Sequence, residues 1–114
     1  METTRLINGT CPECRGPLSE TVTLEGGSEL REYKCLVGHA YSARALLECH
    51  SEAQERALWS AVVALEEAIN LVDSISDEFP PAIVEKLRQQ ARRKQEQAQE
   101  VRTVLEHLEP FQAG

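Results

Sequence analysis

Two short motifs of metal-ligating residue types constrain the fold of this chain more than any other feature. Residues 11–14 read C-P-E-C, and residues 35–39, after twenty intervening residues, read C-L-V-G-H. Thiolates and an imidazole are the donors that structural Zn²⁺ sites use, in tetrahedral geometry and with such spacings. The spacing therefore predicts a metal site formed by Cys11, Cys14, Cys35 and His39. Because protein fills all four positions, we expect structural rather than catalytic zinc.

The segment that carries these motifs is poor in apolar side chains. A piece of about 40 residues seldom folds on so small a core, whereas structural zinc contributes roughly 10–16 kcal/mol in small zinc fingers. The alternatives are cysteines that serve as small core residues, as a redox pair or as two disulfides, and a thiolate-rich tetrahedral site accepts iron as well as zinc. The sizeable apolar residues before residue 42 are Leu6, Ile7, Leu18, Val22, Leu24, Leu30, Tyr33, Leu36, Val37 and Tyr41.

The composition of the chain changes near residue 42. Five of the six glycines precede this point, and the next glycine is Gly114. Residues 21–25 and 30–35 resemble β-strands on either side of a glycine-containing loop, which predicts a β-hairpin. The second strand would bring Cys35 to the same end as Cys11 and Cys14.

The remainder of the chain is typical of helices. Ser42 is a plausible N-cap for a short helix through Leu47, and Ser51 can restart or continue it with Gln54 as a capping-box partner. From Ser51 to about Ile75, apolar residues recur at alternating spacings of four and three, which indicates one apolar seam on a helix. This first seam consists of Leu58, Val62, Leu65, Ile69 and Val72.

A second helix is predicted from Pro81 to about Glu109, because proline favours the first helical turn and Pro110 ends the pattern. Its seam repeats at the same spacings, so the two helices, joined by about five residues, predict an antiparallel helical hairpin. We expect Glu66 and Glu67 to face residues 92–94 across it. The second seam consists of Val84, Leu87, Ala91, Lys94, Ala98, Val101, Leu105 and Leu108.

The predicted fold is therefore α+β and mostly α. A small zinc ribbon, a β-hairpin with two metal knuckles, occupies residues 1–41. A short helix and the long helical hairpin occupy residues 42–114. These two parts can also pack as one domain.

Charge and hydropathy argue against several classes of function. The net charge is −7, and neither residues 1–50 nor residues 51–114 are basic, which disfavours binding to a phosphate backbone. Only Tyr33 and Tyr41 in the ribbon could stack on bases. The longest nearly apolar run, from Ala57 to Leu65, is too short to cross a bilayer, and the N-terminus lacks the features of a signal peptide. We therefore expect a cytoplasmic protein that does not bind a membrane.

Residues 33–47 read YKCLVGHAYSARALL. Together with the upstream C-P-x-C and the downstream A-L-W and L-E-E segments, they resemble the C-terminal accessory region of some bacterial chemotaxis-type protein-glutamate methylesterases. The resemblance covers residues 9–75 and is most specific at residues 35–42. It implies a zinc site at Cys11, Cys14, Cys35 and His39 and a setting in bacterial signalling. The catalytic α/β domain of that family and its nucleophile elbow are absent from these residues, so we expect no esterase activity.

From these observations the sequence predicts a non-catalytic zinc-binding module that binds protein partners. Its expected role is that of an adaptor or regulator in bacterial chemotaxis-like or two-component signalling, with a homodimer through the helices as one form of interaction. Two alternatives remain. One is a nucleic-acid-binding zinc ribbon linked to transcription, and the other is a zinc enzyme that exchanges a ligand.

Overall fold

The computed structural model describes residues 1–113, which form an antiparallel β-sheet followed by two long helices. This confirms the predicted α+β class. The elements are β1 (Glu2–Thr10), β2 (Pro17–Glu25), β3 (Ser28–Cys35), β4 (Ala40–Tyr41), α1 (Ala43–Ile75), a short 3₁₀ turn (Ser76–Glu78) and α2 (Pro81–Glu106).

The sheet has the strand order β1-β2-β3-β4, and each neighbouring pair is antiparallel. Strands β2 and β3 form the predicted hairpin, in which Glu25 pairs with Ser28 across a two-residue turn. Gly26 and Gly27 in this turn have φ angles of 57° and 79°. Positive φ at both central positions is the geometry that matches the twist of the flanking strands, and glycine adopts it without strain.

Two strands were not predicted, β1 and β4. Strand β1 is an edge strand whose pairing with β2 is interrupted by an irregularity between Leu6 and Thr10. Its side chains are mostly exposed, and even Leu6 is 74% exposed. The strand therefore has no buried face, and its sequence, E-T-T-R-L-I-N-G-T, does not alternate between apolar and polar residues. Strand β4 has only two residues, too few for any periodicity. Pairing with a neighbour, rather than local pattern, defines both.

The prediction of a separate short helix before residue 51 is wrong, because α1 runs without a break from Ala43 to Ile75. Ser42 is the predicted N-cap, since its Oγ accepts a hydrogen bond from Ala45 N at 3.2 Å. Ser51 does not start a new helix. Its Oγ donates to the carbonyl oxygen of Leu47 at 3.1 Å, within the helix, and accepts from Phe111 N at 2.9 Å.

Both predicted seams lie on the less exposed sides of their helices. Val62 and Ala98 are buried, and the other seam residues are half-buried except Lys94, which is exposed. Pro81 lies in the first turn of α2 as predicted, and α2 ends at Glu106 instead of Glu109. A lysine at a seam position can keep its ammonium group in water while its aliphatic stem lies along the helix.

Glu66 forms an ion pair between the helices as expected, but with a different basic residue. Arg102, not a residue of 92–94, binds Glu66, with Nη2 2.6 Å from Oε1. The guanidinium of Arg102 also lies over the ring of Trp59, 5.6 Å from its centroid. Arg92 instead pairs within its own helix, with Glu85 at 3.7 Å.

The chain divides into two compact units. The first unit contains Met1–Ala53 and the C-terminal residues from Pro110 onward, and the second contains Gln54–Glu109. Helix α1 contributes residues to both units. The first unit holds a buried cluster, against which partly buried side chains of Ile7, Ala45, Leu46 and Cys49 pack. The members of this cluster are Cys11, Leu18, Cys35 and Tyr41.

Candidate metal centre

The first knuckle, residues 11–16, is the tight turn between β1 and β2. Arg15 N donates to the carbonyl oxygen of Cys11 at 2.8 Å, and Cys11 N donates to the carbonyl oxygen of Gly16 at 2.8 Å. Arg15 has a positive φ of 62°, which reverses the chain direction. A Cβ atom at Gly16 would lie 3.4 Å from Cys14 Sγ, so glycine leaves room for that sulfur.

The second knuckle, residues 35–39, connects β3 to β4. Gly38 N donates to the carbonyl oxygen of Cys35 at 3.2 Å, and Cys35 N donates to that of His39 at 3.1 Å. Gly38 has a φ of 110°, a conformation that side chains rarely adopt. His39 N donates to Cys35 Sγ at 3.3 Å, so the turn also supplies a hydrogen bond to the sulfur.

These two knuckles bring the four predicted residues together. One donor atom from each of Cys11, Cys14, Cys35 and His39 lies within 4.8 Å of every other. His39 Nδ1 is 3.6 Å from Cys11 Sγ and 3.3 Å from Cys35 Sγ. Tetrahedral zinc, with Zn–S near 2.3 Å and Zn–N near 2.05 Å, requires S···N separations of about 3.6 Å and S···S separations of about 3.8 Å. The two S···N distances are close to this value and every other donor pair lies within 4.8 Å, so the four residues could hold a metal ion.

Burial divides the four residues into two pairs. Cys11 and Cys35 are buried and belong to the core cluster with Leu18, whereas Cys14 and His39 are more accessible. The candidate site thus forms one side of the core of the first unit. Loss of its geometry would disturb that core directly.

Hydrogen bonds around the buried sulfurs favour their thiolate forms. Burial raises the pKa of Cys11, but the hydroxyl of Tyr41 and the backbone N–H groups of Cys14 and Glu13 lower it more, to about 6. Burial likewise raises the pKa of Cys35, and the N–H of His39 brings the net pKa below its ordinary value. The thiolate is the form that binds a metal ion.

The pKa values of the two more accessible residues, Cys14 and His39, are raised. The N–H of Gly16 lowers the pKa of Cys14, but burial and the neighbouring sulfurs of Cys35 and Cys11 give a net increase. Hydrogen bonding to Cys35 and Cys11 raises the pKa of His39.

Two residues outside the predicted set contact the donors, Glu13 and Tyr41. The hydroxyl of Tyr41 donates to Glu13 Oε1 at 2.8 Å and lies 3.3 Å from Cys11 Sγ. The other carboxylate oxygen, Glu13 Oε2, lies 3.2 Å from His39 Nε2. Burial, together with the hydrogen bonds to Cys11 and Glu13, raises the pKa of Tyr41, so it stays a neutral phenol.

Sequence reasoning missed both of these residues. The sequence indicated Tyr41 only as an apolar residue of the ribbon that could stack on a base, and it indicated no role for Glu13. The pairing of Tyr41 with Tyr33 across β3 and β4 places it near the site. The one usable signal in the sequence was proximity, because Glu13 lies between two ligand-type cysteines and Tyr41 lies two residues after His39.

The neighbouring Cys49 and His50 do not join this donor cluster. Cys49 is partly buried against the core of the first unit. The Nε2 of His50 lies 2.6 Å from the carbonyl oxygen of Thr10. It therefore connects the beginning of α1 to the end of β1.

Comparison with known proteins does not assign this chain to a family. No protein-family model, curated protein or solved structure matches this chain.

Within residues 1–113, neither helix offers an apolar stretch long enough to cross a membrane.

Proposed function

We propose that this protein is a non-catalytic module that binds one structural Zn²⁺ ion and presents a surface to protein partners. In this proposal the sheet and its two knuckles form a zinc ribbon, and the two helices form an antiparallel hairpin. The convergence of Cys11, Cys14, Cys35 and His39 carries the proposal. A set of three sulfur donors and one nitrogen donor suits zinc better than the oxygen-preferring metals.

A structural role for the metal is supported by what surrounds the donors. All four positions of a tetrahedron would be filled by protein, which leaves no position for water or substrate. Cys11 and Cys35 lie in the core beside Leu18, where a metal would replace missing apolar contacts. An enzyme would instead keep one position open.

Protein is favoured over nucleic acid as the partner. Tyr41 is buried, so its ring is not open for stacking on a base, and Tyr33 is half-buried with its hydroxyl bound to Glu20 Oε2 at 3.1 Å. Arg5 and Arg31 both pair with the same carboxylate of Glu20. With a net charge of −7, these features oppose an electrostatic groove for a phosphate backbone.

Exposed apolar residues provide candidate contacts for a protein partner. Leu36 and Val37, at the tip of the second knuckle, are 87% and 76% exposed. The metal would hold this tip in one conformation, which lowers the entropy cost of binding. On the helices, Val63, Leu71 and Val104 are also exposed, and they would serve a homodimer.

The proposed setting is bacterial chemotaxis-like or two-component signalling, in the cytoplasm. It rests on the resemblance of residues 9–75 to the accessory region of chemotaxis-type methylesterases. The proposed role is that of an adaptor or regulator without esterase activity.

Metal analysis of the purified protein tests the first part of this proposal. We expect one zinc ion per chain, and X-ray absorption should show three sulfur ligands and one nitrogen ligand. A site with bound water, or a protein that contains no metal after purification under reducing conditions, would contradict a structural zinc. Iron in place of zinc would retain the site but change the cofactor.

An affinity pull-down from a bacterial lysate tests the second part. The wild-type protein should capture a partner that a Leu36→Ser/Val37→Ser variant loses while retaining its zinc. A Val63→Ser/Val104→Ser variant is the matched control for the helical surface. Salt-sensitive binding to DNA or RNA by the wild type would instead favour the nucleic-acid alternative.

A further inference from the structure

Around the four donors, Glu13 and Tyr41 form a second layer of contacts, which we call the outer clamp. We propose that the outer clamp positions the metal ligands, selecting Nδ1 of His39 as the metal-binding nitrogen and slowing the release of zinc. This inference rests on the proposed zinc site. It goes beyond that site by assigning a role to two residues that do not bind the metal.

The two nitrogens of His39 face different partners. Nδ1 points toward the sulfurs of Cys11 and Cys35, and Nε2 points toward Glu13 Oε2 at 3.2 Å. A neutral imidazole carries hydrogen on one nitrogen and is bare on the other, and only the bare nitrogen can bind a metal. The carboxylate of Glu13 lies at ion-pair distance from Nε2, and its negative charge stabilises the tautomer with hydrogen on Nε2. Nδ1 is then the nitrogen available to the metal.

Glu13 is itself held at both of its oxygens. Oε2 faces His39, and Oε1 accepts the hydrogen bond from the hydroxyl of Tyr41 at 2.8 Å. The side chain of Glu13 is 56% exposed, so an unrestrained carboxylate would sample many rotamers. The ion-pair contact with His39 and the hydrogen bond from Tyr41 join the first knuckle to the second knuckle and to β4.

Tyr41 provides the fixed point of the outer clamp. It is only 7% exposed, and its backbone pairs with Tyr33 in the sheet. Its hydroxyl lies between Glu13 Oε1 and Cys11 Sγ, at 2.8 and 3.3 Å. Because the ring cannot swing away, it limits the movement of both the carboxylate and the sulfur.

These contacts have a kinetic consequence. Zinc leaves such a site when one ligand rotates away and a competing ligand enters. His39 has a side chain that is 33% exposed, so it is accessible to such competition, and its rotation would also break the bond to Glu13. Removing partners of metal ligands typically costs 10–100-fold in metal affinity.

The chain contains a matched control for the outer clamp. On the same sheet, the hydroxyl of Tyr33 donates to Glu20 Oε2 at 3.1 Å, which is also a tyrosine–glutamate pair. Glu20 is held by arginines and contacts none of the four donors. Glu20→Gln and Tyr33→Phe therefore repeat the chemical changes of Glu13→Gln and Tyr41→Phe away from the metal.

The experiment measures zinc release from the full-length zinc-loaded protein to an excess of a chromogenic chelator. We expect Glu13→Ala and Tyr41→Phe to release zinc 10–100-fold faster than wild type. Glu13→Gln should have a smaller effect because it keeps an oxygen acceptor, and the two controls should stay within about twofold of wild type. Circular dichroism of each loaded variant verifies that it is folded.

A second measurement needs no variant. Long-range ¹H–¹⁵N NMR of the zinc-loaded wild type should show His39 with hydrogen on Nε2 and the metal on Nδ1. Coordination through Nε2, or wild-type release rates in Glu13→Ala and Tyr41→Phe, would overturn this inference and leave the zinc site intact. A wild-type protein that binds no zinc would overturn the proposed function and this inference together.

Discussion

The two units of this protein have different sources of stability. In the first unit, two of the four residues in the buried cluster are cysteines of the candidate metal site. In the second unit, the buried side chains are Val62 and Ala98, with half-buried seam residues along two helices. If the proposed zinc site is correct, the first unit depends on coordination of a metal, whereas the second depends on helix formation and amphipathic periodicity.

This difference shows how a short chain can offset the conformational entropy lost on folding in two different ways. A sheet of about 40 residues buries too little apolar surface to overcome its conformational entropy, and in the proposed site a metal would supply the missing free energy. Helices satisfy their own backbone hydrogen bonds, so they need fewer distant contacts for each residue that they order. Metal removal and single substitutions should therefore affect the two units unequally.

The largest effect is expected from Cys35→Ser. This change removes a buried ligand, and zinc contributes roughly 10–16 kcal/mol in small sites, which exceeds the stability of most small domains. We expect loss of the metal and unfolding of residues 1–41, with at least part of the helical structure retained. Metal analysis, NMR spectra and circular dichroism at 222 nm measure these three outcomes.

Cys49→Ser is the control for this variant, because Cys49 contacts the same core but lies outside the donor cluster. It should retain one zinc ion per chain. Unchanged metal content in Cys35→Ser would show that the ligand assignment is wrong.

The next largest effects should come from core substitutions in the zinc-loaded protein. Leu18 is 1% exposed, and Leu18→Ala should lower the free energy of unfolding of the first unit by roughly 2–5 kcal/mol. Val62 is also 1% exposed, and Val62→Ala removes two methyl groups from the second unit, at a cost of roughly 2 kcal/mol.

Denaturation followed separately by NMR signals of the two units distinguishes these effects. Each substitution should shift mainly the transition of its own unit. If either substitution shifts both transitions equally, the units unfold as one and the contrast between them is lost.

A smaller effect is expected at Arg102 in the second unit. Arg102→Ala removes the ion pair with Glu66 and the cation–π contact with Trp59. Both contacts are partly exposed, so we expect a loss of about 1 kcal/mol. Urea unfolding followed by the fluorescence of Trp59, the sole tryptophan, measures it, and Arg92→Ala is the control.

The smallest effect concerns Glu20 and depends on pH. The hydrogen bond from Arg5 is the largest cause of a lowered pKa at Glu20, assisted by Tyr33 and Arg31. A carboxyl whose pKa is lower in the folded state stabilises the fold fully above its unfolded-state pKa. That stabilisation is lost as the pH falls through the folded-state pKa.

Glu20→Gln tests this dependence. With excess zinc, the wild type should be more stable than Glu20→Gln at pH 7, and the difference should shrink as the pH falls below about 4.5. Melting temperatures, with zinc content measured at each pH, give this difference. A gap that widens in acid would mean that the charge of Glu20 does not stabilise the sheet.

The sequence predicted those features that local spacing determines. The two cysteine motifs identified four donors that the fold brings together, and the alternating three- and four-residue spacing identified the buried Val62 and Ala98. The paired glycines Gly26 and Gly27 indicated the β2–β3 turn, because few other residues tolerate positive φ at both positions.

Prediction from the sequence failed where tertiary contacts determine the length of a helix or the partner of a side chain. Ser51 is a good capping residue by type, but its hydroxyl binds Leu47 and Phe111, so α1 continues through it. Arg102, which lies eight to ten residues beyond residues 92–94, meets Glu66, so counting residues from the interhelical turn did not give the register of the two helices. Glu13 and Tyr41 lie 28 residues apart in the chain, and they meet only when the first knuckle and β4 come together in the fold.

The bridge from Glu13 to Tyr41 has an evolutionary corollary. A buried phenol that loses its carboxylate acceptor would keep only a sulfur for its hydroxyl, so replacing one member of the pair removes much of the selection on the other. Among homologues, the third position of the C-x₂-C motif and the second position after the histidine should therefore vary together. Such covariation would be visible in an alignment before any metal is measured.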